Sequence, residues 1–167
     1  AGGHANIYFM IKRVELFNNR GTDEWQLDLR SANMIILAIG QYPISGKWYI
    51  PSTKPEASEH LMMSPIVRLT EMRYIMAEYY AREGKFGEAY GILNDIRAKR
   101  RLSKPLMIQS RFPDFVEDLV GDARREWISE GQLFYLYKRL DAPFIKNNQL
   151  HKLTKAEACL PLPADQK

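Results

Sequence analysis

The sequence predicts an all-α fold built on helical hairpins, with long irregular loops packed around them. Three observations lead there. Residues 64–101 carry two apolar stripes at helical spacing on either side of a tight turn. Phe112, Phe115, Val116, Leu119, Val120, Ala123 and Trp127 form a third stripe at 3–4 spacing. Between residues 41 and 60, Pro43, Gly46, Pro51 and Pro55 forbid a continuous helix or a central strand. A chain of 167 residues is one domain's worth, and 46% apolar against 26% charged residues marks it as globular. The boundaries read as a loop-rich segment with short extended pieces at 1–63, helical hairpins at 64–141 and an extended tail at 142–167.

In chain order, Ile7 to Phe17 alternates loosely and suits a strand or a short helix equally. Residues 18–23 are a loop by composition. Trp25, Leu27 and Leu29 alternate with Gln26, Asp28 and Arg30, predicting a half-buried extended segment. The apolar run Met34 to Ile39 reads as a buried strand or helix segment. Ser64-Pro65 is a helix start, with Ser64 as cap and Pro65 in the first turn. Leu69, Met72, Met76, Tyr79 and Tyr80 then make the predicted inner stripe of the first helix. Gly84 fits the left-handed residue that ends it. Phe86, Ala89, Tyr90, Leu93 and Ile96 make the facing stripe of the second helix. Large residues beside a small Ala89 resemble a tetratricopeptide-type hairpin, although any helical hairpin needs a similar pattern. The third helix starts near Pro113, with Glu117, Asp118, Asp122, Arg124 and Arg125 assigned to its other faces. Gln132 to Leu140 is apolar nearly all round, so it is expected to be buried on more than one side.

Constellations for catalysis are missing. His4, His60 and His151 are scattered without partners at ligand spacing, so no metal site and no cofactor is expected. No phosphate loop or nucleophile elbow is present. Glu126 and Glu130, one turn apart, suit a solvated helix face. The formal charge of +4 does not imply nucleic acid. Arg97, Lys99, Arg100 and Arg101 close a helix whose C-terminus favours positive charge. Cys159 is the sole cysteine, so no intrachain disulfide forms. No apolar run approaches the ~20 residues of a membrane span. The loop aromatics Tyr42, Trp48 and Tyr49 have two readings. They stack on sugar rings, or they pin the loop to the core.

Four passages together resemble one family. They are Pro65 to Glu78; Ala89 to Arg97; Asp122 to Gly131, continuing to Lys138-Arg139; and Leu160-Pro161-Leu162-Pro163. Their order is similar to that in the C-terminal region of SusD/RagB proteins, the glycan-capturing lipoproteins of the Bacteroidetes outer membrane. The likeness runs from about Asp28 to the end. It departs at Asp122-Ala123, where the family has Glu-Arg, and at Leu133 and Leu136, where Arg and Asp are frequent. The resemblance implies a non-enzymatic, surface-exposed outer-membrane protein. Such a protein binds oligosaccharide and delivers it to a SusC-like TonB-dependent transporter. It also implies a longer parent chain carrying the lipid anchor; because repeat hairpins need neighbours to bury their outer faces, a missing N-terminal part is expected to cover them, as another chain or as a lost region. Cys159 is then a buried structural residue, and Arg68, Glu71, Glu78, Asn94 and Arg97 form an interhelical polar network. No sugar-binding residue carries over by motif, so Trp48, Tyr49 and Tyr42 are the candidates from loop chemistry. A tetratricopeptide scaffold for protein partners is the alternative.

Overall fold

A computed structural model of the chain describes residues 16–17, 27–37, 43–46, 67–147 and 149–159. Within them the helices are α1 (Leu29–Met34), α2 (Leu69–Arg82), α3 (Phe86–Ala98), α4 (Phe112–Glu126), α5 (Gln132–Leu140) and α6 (Lys155–Ala158). The all-α expectation is corrected by two small antiparallel sheets. Strand β1 (Ile35–Leu37) pairs with β2 (Pro43–Ser45), placing Ile36 opposite Ile44. Strand β3 (Phe144–Lys146) pairs with β4 (Gln149–His151), placing Ile145 opposite Leu150. Ile35-Ile36 and Phe144-Ile145 are β-branched and aromatic, which suits pleated backbone. Three-residue strands are too short to leave an alternation that a sequence window can detect.

The hairpin of α2 and α3 turns at Gly84, whose φ of 74° is the left-handed conformation that only glycine adopts without strain. The Lys85 amide donates to the Tyr80 carbonyl at 2.9 Å and the Gly84 amide to Ala81 at 3.1 Å. That is the Schellman pattern, which satisfies the last carbonyls of α2. The end of α3 repeats it without glycine. Leu102 donates to Arg97 and Arg101 to Ala98, both at 3.0 Å, with Arg101 at φ 64°. Helix α2 begins later than Ser64-Pro65 suggests, because Arg68 is still extended at φ −119° and ψ 141°. Ser64 and Pro65 lie outside the described residues.

The predicted stripe of α2 is corrected. Tyr74, Ala77, Glu78 and Ala81 are buried, and Tyr80 packs part-buried against the core as expected, whereas Leu69, Met72, Met76 and Tyr79 are exposed. The helix is apolar on two opposite sides, and the largest side chains occupy the outer one. Small residues win the inner side because Ala77 and Ala81, with Ala89 of α3, let the backbones approach. The α3 stripe packs as its spacing indicates, with Ala89, Tyr90, Leu93 and Ile96 buried. Helix α4 crosses both, its Phe115, Leu119, Ala123 and Trp127 completing the core. Rings lock the crossing edge to face: Tyr74 against Trp127 at 5.3 Å and Tyr90 against Phe115 at 5.4 Å.

Three further expectations change. Helix α5 buries Leu136 alone, and its Tyr135 faces water, so it is not covered on two sides. Leu27 and Leu29 do not extend a strand. Asp28 caps α1 and accepts from the Arg30 amide at 2.9 Å, and both polar side chains are buried while Leu27 is exposed. Cys159 is exposed.

The two helix ends make opposite demands on one motif. Gly84→Ala should destabilise by about 1–2 kcal/mol, since its φ disfavours any Cβ. Arg101→Gly should stabilise by up to about 1 kcal/mol by relieving the same strain. Urea unfolding of both variants checks this, and shifts of the same sign would contradict it.

Candidate functional site

Helix α4 is polar where the sequence reading placed water. Asp118, Asp122, Arg125 and Glu126 are all buried, a correction to the solvated faces expected for them. The acids Asp122, Glu126 and Glu130 stand one turn apart on α4 and the turn that follows it, and they collect cations from three other segments. From α1, Arg30 donates to Asp122 Oδ1 at 2.9 Å and Oδ2 at 3.2 Å, and to Glu126 at 3.4 Å. Its other contacts go to Asp28, at 2.8 Å from Nη2 and 3.0 Å from Nε, and to the Asp122 carbonyl at 3.4 Å. Just before α2, Arg68 donates to Glu126 at 2.9 Å and to Glu130 at 2.7 Å. After α3, Arg100 grips Glu126 with both Nη2 at 2.8 Å and Nε at 3.2 Å. Tyr74 of α2 gives its hydroxyl to Asp122 at 2.6 Å.

Burial alone would raise the carboxyl of Asp122. The charge of Arg30, with hydrogen bonds from Arg30 and Tyr74, overrides it and holds the group at about 2. Glu126 is likewise lowered against its burial, by Arg100, Arg30 and Arg68. Burial and the neighbouring Asp122 push the Tyr74 phenol well up, so it stays a donor. Both acids are therefore ionised and engaged on every side. Such an arrangement fastens elements together, because a proton-transfer group needs a value near the working pH.

Asp122 and Arg125 also reach the wall of an open groove. A cavity of about 730 Å³ lies between α4 and the β3–β4 hairpin. Glu117, Gly121 and Arg124 of α4 form one wall, with Tyr137, Phe144 and Lys152 opposite. The Tyr137 and Phe144 rings are 5.1 Å apart. A Cβ on Gly121 would meet nothing within 4 Å, so the missing side chain keeps the groove open at mid-helix. The hairpin is held by Glu157, which accepts from Lys146 at 2.8 Å and meets His151 at 2.9 Å.

The sequence candidates Tyr42, Trp48 and Tyr49 lie outside the described residues, as do His4 and His60. Among the described residues, no three His, Cys, Asp or Glu side chains group as metal ligands, and no helix is long and apolar enough to cross a membrane. The network expected of Arg68, Glu71, Glu78, Asn94 and Arg97 is not one network. Arg68 joins the α4 cluster. Glu78 pairs with Arg82 at 2.9 Å and with Arg139, and Asn94 clamps the Leu106 backbone at 2.8 Å. Arg97 reaches the Lys104 carbonyl at 3.3 Å. Sequence reasoning missed Asp28, Arg30, Tyr74, Asp122 and Glu126. The available signal was a line of acids at four-residue spacing, flanking the apolar stripe of α4.

Comparison with known protein families, with curated proteins and with solved structures finds no match to this chain.

Asp122 has a lower value in the folded chain than the ordinary ~3.9 of the unfolded one. Its contribution is complete above about pH 5 and is lost as pH falls through about 2. Unfolding free energy should fall over that window by about 2 kcal/mol from Asp122, with Glu126 acting in the same sense. Asp122→Asn should be less stable at pH 7 and show a shallower acid limb. Chemical denaturation at stepped pH checks this, and an equally steep limb in the variant would contradict it.

Proposed function

We propose that the chain is the C-terminal portion of a SusD/RagB-type protein. In this reading it captures oligosaccharide at the cell surface, performs no chemistry on it and passes it to a SusC-like TonB-dependent transporter. The observation that carries the reading is how two of the passages behind the resemblance meet. Residues 65–78 and 122–139 lie far apart in the chain, yet they join through Arg68 with Glu126 and Glu130, Tyr74 with Asp122, and Glu78 with Arg139. The charged and hydroxyl-bearing positions of these motifs serve to hold the helices in place. That leaves ligand contacts to surfaces around them.

The groove beside α4 suits such a ligand. Sugar rings offer apolar C–H faces and hydroxyl rims. Tyr137 and Phe144 supply apolar ring surface, while Glu117 and Arg124 supply planar acceptors and donors for hydroxyl pairs. Its volume of about 730 Å³ falls in the usual span of small-molecule sites. Tyr42, Trp48 and Tyr49 remain the loop candidates for a second set of stacking rings.

The test is calorimetric titration against a panel of neutral and acidic oligosaccharides, with Gly121→Trp, Trp48→Ala, Tyr49→Ala and Tyr42→Ala. Binding of at least one glycan is expected. Gly121→Trp fills the groove from an open position and should weaken binding at least tenfold with helix content unchanged. Loss of a stacking ring should cost on the order of 1 kcal/mol. If no glycan of the panel binds, the reading fails. If binding is indifferent to Gly121→Trp but sensitive to the loop rings, the groove is not the site.

A further inference from the structure

Five of the large hydrophobic side chains left exposed among the described residues lie on the outer side of α2. Leu69, Met72, Ile75, Met76 and Tyr79 all stand between two-fifths and four-fifths exposed. On a helical wheel they fill the arc directly opposite Tyr74, Ala77 and Ala81, and no charged residue interrupts them before Glu83. Arg73, bound to Asp95 of α3, marks one border, and Glu71, beside α5, marks the other. A helix that is apolar on two opposite sides is built to be covered on both.

We propose that this face pairs with the same face of a second copy, and not with the remainder of a parent chain, the two α2 helices running antiparallel and crossing at Met76. Three features favour a second copy as the occupant. The five side chains leave on the order of 600 Å² in water, at the upper end for a monomer's largest apolar patch. Tyr135 of α5, exposed across a cavity of about 310 Å³ that Ile75 also lines, extends the patch. The total then approaches the roughly 800 Å² that each partner gives to a standard interface. The stripe is also self-complementary about its centre. An antiparallel pair sets Met72 against the partner's Tyr79, Met76 against the partner's Met76, and Glu83 over the first turn of the partner's α2. There the free amides favour a carboxylate. With no charge inside the stripe, nothing in it opposes self-association.

Sedimentation equilibrium of the full chain, with Cys159→Ser to remove its own thiol, measures the mass. The mass is expected to double between micromolar and millimolar protein. Met76→Glu should hold the chain monomeric over that range while its far-ultraviolet spectrum stays unchanged, since residue 76 is half exposed and belongs to no core cluster. In the Cys159→Ser background, a short bis-maleimide should cross-link Met76→Cys into a dimer at least tenfold faster than Lys155→Cys. A chain that is monomeric throughout overturns the proposal and leaves the face to another helix of a longer polypeptide. A dimer that Met76→Glu does not dissociate, or that cross-links equally from both positions, overturns it too.

Discussion

One carboxylate organises this chain. Glu126, fully buried at the end of α4, accepts from Arg30, Arg68 and Arg100, which reach it from three separate stretches of sequence. One turn earlier, Asp122 accepts from both Nη groups of Arg30 and from the hydroxyl of Tyr74. Apolar contacts among α2, α3 and α4 supply the bulk of the folding drive, as burial does in any such core. They do not say how far each helix should slide along its neighbours. The guanidinium fork does, because a bidentate contact tolerates little displacement.

The energetic standing of this cluster follows from its burial. Taking ions out of water is costly, and a matched apolar set of the same shape would serve stability as well or better. Removing a single partner is another matter, since the charge left behind stays desolvated. The cluster is therefore best understood as a device for register. It joins α1 and its strand β1 to a helical hairpin that lies 30 or more residues further along the chain. The backbone repeats the connection, with the Leu29 amide bonded to the Arg100 carbonyl at 3.0 Å.

Much of the helical layout was legible. Gly84 and Pro113 mark a turn and a start by their own backbone chemistry, and the stripes of α3 and α4 had a single apolar side each. Helix α2 was misread because both its sides are apolar. Size then pointed to Met72, Met76 and Tyr79, while close packing chose Ala77 and Ala81. The α4 acids were misread for a related reason. A carboxylate beside an apolar stripe signals solvent unless its partners are known, and Arg30 lies 96 residues away from Glu126. The strands escaped notice because three residues make no pattern. The groove was invisible in the same way, since its walls come from α4 and from a hairpin that the sequence presents as a tail.

The most direct test of this account is hydrogen exchange on Glu126→Gln. The substitution keeps the shape of the side chain and removes the charge that three arginines share. Amides of Leu29–Met34 and the first turn of α2 should lose protection by at least tenfold, while the centre of α3, held by Tyr90 and Leu93, keeps more of its own. Equal loss across all helices, or none in α1, would contradict a cluster that sets the register of the fold.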